Sequence, residues 1–358
     1  MNGDGSAGHF TWRALAVAPL VAIGLVITAV IACDHAGVAF RDPDNVAAQY
    51  VVMVGAGVAL LVALDVALRA ARLTGTRRPT REAMRAVRRE RWTARRAAAV
   101  GIALMSFYAT YLAYRNLKAL VPFLRPGDLF DRELADLDRD LFLGQDPAAL
   151  LHSVLGTGVA AHVLSSFYAA FIVFLPLSLG LALVFSRRLQ LSLFYAAALS
   201  INWVLGAASY FLLPALGPVY AFPQWFSDLP RTEATRLQQM LLDDRIGFLA
   251  DPANGTPQAI AAFASLHVAM SFTALAAVHL LRMSRRLKIA LWAWLILTLL
   301  ATVYLGWHYV VDDVAGIAIG TLALVLARLL TGFDPRSAEG PPPVEVEAAP
   351  EERYALTT

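Results

Sequence analysis

An all-α polytopic membrane bundle is the fold class this sequence predicts, and three observations predict it. The 358-residue chain is 58% hydrophobic and only 16% charged, with a mean hydropathy of +0.58, far from the balance of an ordinary soluble domain. Apolar runs recur at about 18 residues or more, the length needed to cross roughly 30 Å of hydrocarbon. These runs are continuous rather than alternating, which excludes a β-barrel. The lone Cys33 excludes an intrachain disulfide framework and a cysteine-built metal cluster.

Eight spans follow in order, at about 14–33, 50–70, 97–121, 158–185, 190–214, 264–282, 287–306 and 308–330. The arginines orient them. Arg69, Arg72, Arg77, Arg78, Arg81, Arg85, Arg88, Arg89, Arg91, Arg95 and Arg96 crowd the segment between spans two and three. Arg187 and Arg188 follow span four, and Arg282, Arg285, Arg286 and Lys288 follow span six. The three basic loops are therefore expected in the cytoplasm, together with both termini. The opposite loops, carrying Asp34, Asp42, Asp44 and the stretches 128–146 and 228–251, are expected outside.

The pieces between spans are read the same way. Residues 69–96 form either a basic helix on the anionic inner leaflet or simply a topology signal. Phe130, Leu134, Leu137 and Leu141 recur at helical spacing with charges between them, which predicts an amphipathic helix at the outer interface. Asp146-Pro147 has the form of an N-cap and first-turn proline, starting a second short helix. The proline-punctuated stretch 216–262 is expected to be a long outer loop serving as a lid or substrate-binding element. Gly316 and Gly320, four apart, predict close helix packing. The tail from 333, with Gly340-Pro341-Pro342-Pro343 and then a Glu-rich run, is expected to be disordered. Three domains result: 1–96 with two spans and the basic segment, 97–332 as a six-helix core, and 333–358 as the tail.

The residues able to do chemistry gather at the outer span ends. His308 and Asp312 are four apart and would share one helix face, so Asp312 can orient His308 through one ring nitrogen and leave the other free. His267, arriving on a different span, would supply the proton for a leaving group. Two histidines and a carboxylate at one aqueous pocket read as phosphoryl transfer from a lipid. Each has a structural alternative: His267 an interfacial side chain, His308 with Asp312 a helix-end pair, Ser265 a cap, and Lys118 and Arg125 snorkelling cations. Asp313 projects away from the Asp312 face and reads as structural, while His9, His35, His152, His162 and His279 have no partner pattern. Tyr210, Pro214, Gly217, Pro218 and Tyr220 are candidates for the pocket wall.

Three fragments then carry a family resemblance. Lys118, six residues, then Arg125-Pro126 resembles the first signature, K-x6-R-P, of the type 2 phosphatidic acid phosphatase superfamily. Ser265-Leu266-His267 resembles the second, P-S-G-H, and His308-x3-Asp312 the end of the third, S-R-x5-H-x3-D. Their order and shared outward placement match as well, over about 97–330. The resemblance implies a phosphohistidine on His308, oriented by Asp312, with His267 as acid and then base. It implies phosphate held by Arg125, Lys118 and Ser265 at the start of span six, with no metal and no cofactor. Ala264 and Leu266 replace the Pro and Gly of the second signature, and Ala301-Thr302 the Ser-Arg of the third. These departures resemble the inositol phosphorylceramide synthase branch. The lost arginine is expected to be replaced by Arg231 or Arg245, or to signal a less charged diester donor.

The expected partners are a phosphorylated lipid and the bilayer, with no nucleic acid. Ala- and Arg-rich usage suits a GC-rich bacterial genome and hence a plasma membrane. A transporter would place its charges at the midplane rather than at the span ends, and an intramembrane metalloprotease would need H-E-x-x-H, which is missing. A non-catalytic scaffold stays open. So does lipoprotein-type processing at Val30-Ile31-Ala32-Cys33, against the alternative of an ordinary first span.

Overall fold

In the computed structural model the described residues are 12–42, 46–186, 188–257 and 260–334. Most of the expected disordered tail, together with His9, Asp44 and Arg187, lies outside them. All regular structure among the described residues is helical. In chain order the helices are α1 (Trp12–His35), α2 (Val46–Thr74), α3 (Arg81–Arg91), α4 (Ala94–Leu124), α5 (Asp131–Leu141), α6 (Pro147–Leu155) and α7 (Val159–Phe185). Then come α8 (Leu189–Leu212), α9 (Pro218–Ala221), α10 (Glu233–Ala250), α11 (Leu266–Leu280), α12 (Arg285–Tyr304) and α13 (Val310–Thr331).

Seven of these, α1, α2, α4, α7, α8, α12 and α13, are long and apolar enough to cross a bilayer. The other expected span, 264–282, is the 15-residue α11, which at 1.5 Å per residue covers only about 22 Å. It starts late because the preceding strand of backbone is engaged elsewhere. Ala262 N–H donates to the Ala215 carbonyl (2.8 Å) and Ser265 N–H to that of Asp312 (3.0 Å).

Helix α8 is the central post, with α1, α4, α11 and α13 packed around it. Its Ala196, Ala197 and Ala198 are fully buried and let neighbours approach. Close approach is tighter still between α11 and α13. A Cβ on Gly316 would run into the Ser265 carbonyl, and one on Gly320 would sit 2.7 Å from that of Ala269, so the spacing of these glycines does serve packing. Cys33 is an interior residue of α1, buried beside Leu120 and Phe248.

Helix α3 carries Arg81, Arg85, Arg88 and Arg89 outward while Ala83, Met84 and Val87 close onto Val66 and Ala70 of α2. Its apolar side is thus satisfied within the protein. At the same end, Asp65 of α2 is buried and accepts from Arg69 Nε (2.8 Å) and Arg91 Nε (2.6 Å). Arg91 and Arg96 in turn donate to carbonyls at the end of α7, filling acceptors that a helix C-terminus leaves open.

The outer pieces depart from expectation in two places. Helix α5 exists, but it buries Asp131, Leu134, Ala135 and Asp138 and leaves Leu137 and Leu141 exposed. Two carboxylates with specific donors outweigh two leucines in choosing the face. Stretch 216–262 is largely ordered as α9, a 3₁₀ turn at Pro223–Phe226 and the 18-residue α10. Thr232 and Thr235 form the capping box that starts α10, and Ala234 N–H donates to Ser165 Oγ of α7 at 2.8 Å. Asp146 caps α6 as its sequence predicts, accepting from Ala148 N–H at 2.8 Å.

Removing one partner of a buried ion pair leaves the other charge stranded. Asp65→Ala is therefore expected to lower stability in detergent by about 3 kcal/mol, read as a fall in the thermal unfolding midpoint. An unchanged midpoint would show that the Asp65 cluster does not hold α2, α3 and α7 together.

Candidate active site

The site is built around the turn between α12 and α13. Helix α12 ends at Tyr304, and Gly306, at φ +73°, reverses the chain. Trp307 and His308 both donate their N–H to the Thr302 carbonyl, at 2.9 and 3.2 Å. Tyr309 is the N-cap of α13. Asp312 Oδ2 accepts from Tyr309 N–H (3.0 Å) and lies 3.3 Å from His308 Nδ1. The two residues do meet, but not as neighbours on one helix face. His308 precedes the helix, and Asp312 reaches back from its third position as a capping carboxylate does. One carboxylate thus fixes both the helix start and the imidazole orientation, which directs Nε2 away from it.

His267, second residue of α11, faces His308 with 6.1 Å between ring centroids. Its ring is held by aromatic packing: Tyr168 stacks on it at 4.5 Å and on Trp307 at 4.9 Å, and Phe171 lies 4.4 Å away. Lys118 enters from α4, with Nζ 5.2 Å from the centre of the Tyr210 ring. Lys118, His267 and His308 all line one cavity of about 400 Å³. Helix α10 roofs it through Leu237, Met240 and Leu241, and it continues along α4 and α7 past Phe107 and Leu175. His308 lies outside the spans and is buried. Burial, and then the charge of Lys118, push its pKa down to about 3, against a smaller upward pull from the Ala262 carbonyl. It is therefore neutral near pH 7, the form a nucleophile needs.

The other expected phosphate ligands are placed elsewhere. Arg125 donates through Nη1 to the Phe211 carbonyl and through Nε to Asp128 (2.9 Å), and it is not among the residues lining the cavity. Ser265 is fully buried and turned toward Asp313. Thr302, at the position of the absent arginine, is buried as well and donates to Asp313 Oδ2 at 2.9 Å, which gives Asp313 the structural role its spacing suggests. Neither Arg231 nor Arg245 lines the cavity. Leu266, where the resemblance has glycine, lies where a Cβ on Gly206 would be, so glycine on α8 makes room for it. Of the expected wall residues Tyr210 lines the cavity. Pro214, Gly217 and Tyr220 support it from behind through bonds to Phe130, Asp131 and Gln238, and Pro218 starts α9.

Several residues without a sequence signal complete the arrangement. Asp138 accepts from Val310 and Val311 N–H (2.8 and 3.0 Å). Asp131 accepts from Leu216 and Gly217 N–H and from Tyr309 Oη (2.9, 2.8 and 3.0 Å). His152 Nε2 is 2.8 Å from the Tyr304 carbonyl and Gln238 Nε2 donates to that of Leu305 at 2.8 Å. Arg115, one turn below Lys118, lines the cavity. The only available clue to Asp131 and Asp138 was their seven-residue spacing, which repeats on a helix face.

A family model described as the PAP2 superfamily matches residues 132–326, more than half of the chain, and the chain belongs to that superfamily. The match contains His267, His308 and Asp312 and begins after Lys118 and Arg125. No curated protein and no solved structure matches the chain.

Burial raises the carboxyls of Asp131 and Asp138 above their ordinary value, and their N–H donors pull the other way. The native state then keeps these protons to higher pH than the unfolded chain, so stability falls as pH rises from about 4 through the raised values. Asp131→Asn and Asp138→Asn are each expected to flatten that slope in a series of unfolding midpoints against pH. A slope identical to wild type in both variants would assign the titration to other groups. Asp138→Ala, which leaves two N–H groups at the start of α13 without acceptors, is expected to lower stability by about 2 kcal/mol at all pH values, read as a fall in the midpoint.

Proposed function

We propose that this member of the PAP2 superfamily is a lipid phosphatase or phosphotransferase that works through a phosphohistidine on His308. The observation that carries this reading is the facing pair of histidines in the cavity, one braced by a buried carboxylate and both beside a lysine. His308 Nε2 attacks phosphorus, forming a P–N bond as the P–O bond to the lipid breaks. His267, as imidazolium, gives its proton to the departing oxygen. The phosphate's own negative charge favours that protonated form once substrate is bound. His267 then takes a proton from water or an alcohol, whose oxygen attacks phosphorus and releases His308. Asp312 stabilises positive charge on the His308 ring, and Lys118 holds non-bridging oxygens.

The aromatic extension of the cavity along α4 and α7 suits the apolar part of a lipid entering from the membrane. The arginine-rich α3 lies at the start of α4, and Lys118 of the site lies about 36 Å further along that helix. With arginines inside, the site faces outward from a plasma membrane and both termini are cytoplasmic. A narrower reading, transfer from a phosphodiester lipid to inositol or another alcohol, is supported by Leu266 and by Thr302 in place of arginine.

The test is release of phosphate or headgroup from a panel of lipid phosphates and phosphodiesters, with purified protein in detergent and EDTA present. His308→Ala is expected to abolish turnover, and Asp312→Asn to lower kcat by ~10²-fold or more. The preferred substrate separates hydrolysis from transfer. Equal turnover by wild type and a folded His308→Ala protein would contradict the assignment.

A further inference from the structure

The cavity has an unbalanced lining. Lys118 and Arg115 bring two cationic side chains to it, one turn apart on α4, and no Asp or Glu is among the lining residues. Arg115 is only 9% exposed. Its guanidinium carbon is 6.0 Å from the centre of the Tyr111 ring, and its Nη1 has no hydrogen-bond partner. Two further lining residues also carry a buried, unpartnered polar atom, and both atoms are donors: the indole N–H groups of Trp203 and Trp307. A buried guanidinium without a counter-charge is unfavourable, and unpaired buried donors add to that. What relieves all of them is an anion rich in acceptor oxygens.

We infer that Arg115 is the guanidinium that binds the substrate phosphate in this site, paired with Lys118, and that it stands in for both expected arginines. Arg125 is committed to Phe211 and Asp128. Position 302 holds a buried threonine bonded to Asp313, so a phosphate clamp cannot be built there. A planar guanidinium offers two parallel N–H donors to one phosphate, and Tyr111 against its face leaves those edges free. Trp307, adjacent to His308 and stacked on Tyr168, supplies an N–H from the opposite wall for another phosphate oxygen. The anion thus sits between α4 and the histidines, in reach of Nε2 of His308. This inference rests on the phosphoryl-transfer reading of the cavity.

The experiment is titration of the full-length protein in detergent with orthovanadate, followed by calorimetry and by the fluorescence of cavity tryptophans, alongside kcat and KM on the best substrate. Arg115→Gln is expected to weaken vanadate binding about tenfold or more and to raise KM, with Arg115→Lys intermediate because it keeps the charge and loses the fork. Arg236→Gln, which removes an exposed arginine of α10, controls for long-range charge. Unfolding midpoints confirm that each variant is folded. Binding unchanged in folded Arg115→Gln but lost in Arg125→Gln would overturn the assignment and return the role to Arg125. Equal weakening by Arg236→Gln would overturn it too, by reducing the effect to net charge. Wild type that binds no vanadate and turns over no lipid phosphate would remove the phosphoryl-transfer reading itself, and this proposal with it.

Discussion

Backbone that leaves a helix and is buried in protein must find a partner for each polar group, because water does not reach it. The turn from Tyr304 to Val311 meets that constraint almost group by group. His152 takes the Tyr304 carbonyl, Gln238 that of Leu305, and Val219 N–H that of Gly306. The Thr302 carbonyl receives Trp307 and His308, Asp312 receives Tyr309, and Asp138 receives Val310 and Val311. Gly217, at φ +98°, comes so close to the Trp307 carbonyl that a Cβ there would lie 2.6 Å from it. The histidine proposed as nucleophile therefore stands on a turn whose conformation is dictated from several directions, by residues on α5, α6, α9 and α10.

That dependence gives the outer pieces a purpose beyond covering the bundle. Asp131 ties the 216–217 backbone to Tyr309, so the approach to α9 and the start of α13 are joined through one carboxylate. Helix α10 both roofs the cavity and supplies Gln238 to the turn. Roof, turn and cavity wall are thereby linked, which holds the lining side chains in one arrangement. The aromatic stack of Trp307, Tyr168 and His267 plays the corresponding part for the second histidine. There, packing replaces the carboxylate.

Much of this was legible in the sequence. Continuous apolar runs carry the bundle, because a span is specified by composition over its whole length. The meeting of His308 with Asp312 was legible because the two are four residues apart, although it is made by a helix cap and not on a shared helix face. The roles of Asp131 and Asp138 were not, since their partners lie 85 to 178 residues away in the chain and no local pattern encodes such a pairing. The leucine periodicity of α5 misjudged its face for the same reason. Lys118 and Arg125 also show the limit of spacing: seven residues apart on one helix, they part company because Arg125 lies beyond the last turn of α4, where the Phe211 carbonyl and Asp128 claim it. Where α11 starts depends on contacts of 260–265 that no hydropathy window contains.

In the proposed mechanism His308 forms a covalent bond to phosphorus. This step is tested most directly by mixing the protein with a lipid whose phosphate is isotopically labelled, quenching under alkaline conditions and mapping the modified peptide by mass spectrometry. An acid-labile, alkali-stable phosphoryl group is expected on His308, absent in His308→Ala and accumulating in His267→Ala if the second step is slowed. Turnover of the labelled lipid with the phosphoryl group on another residue, or on none, would contradict it.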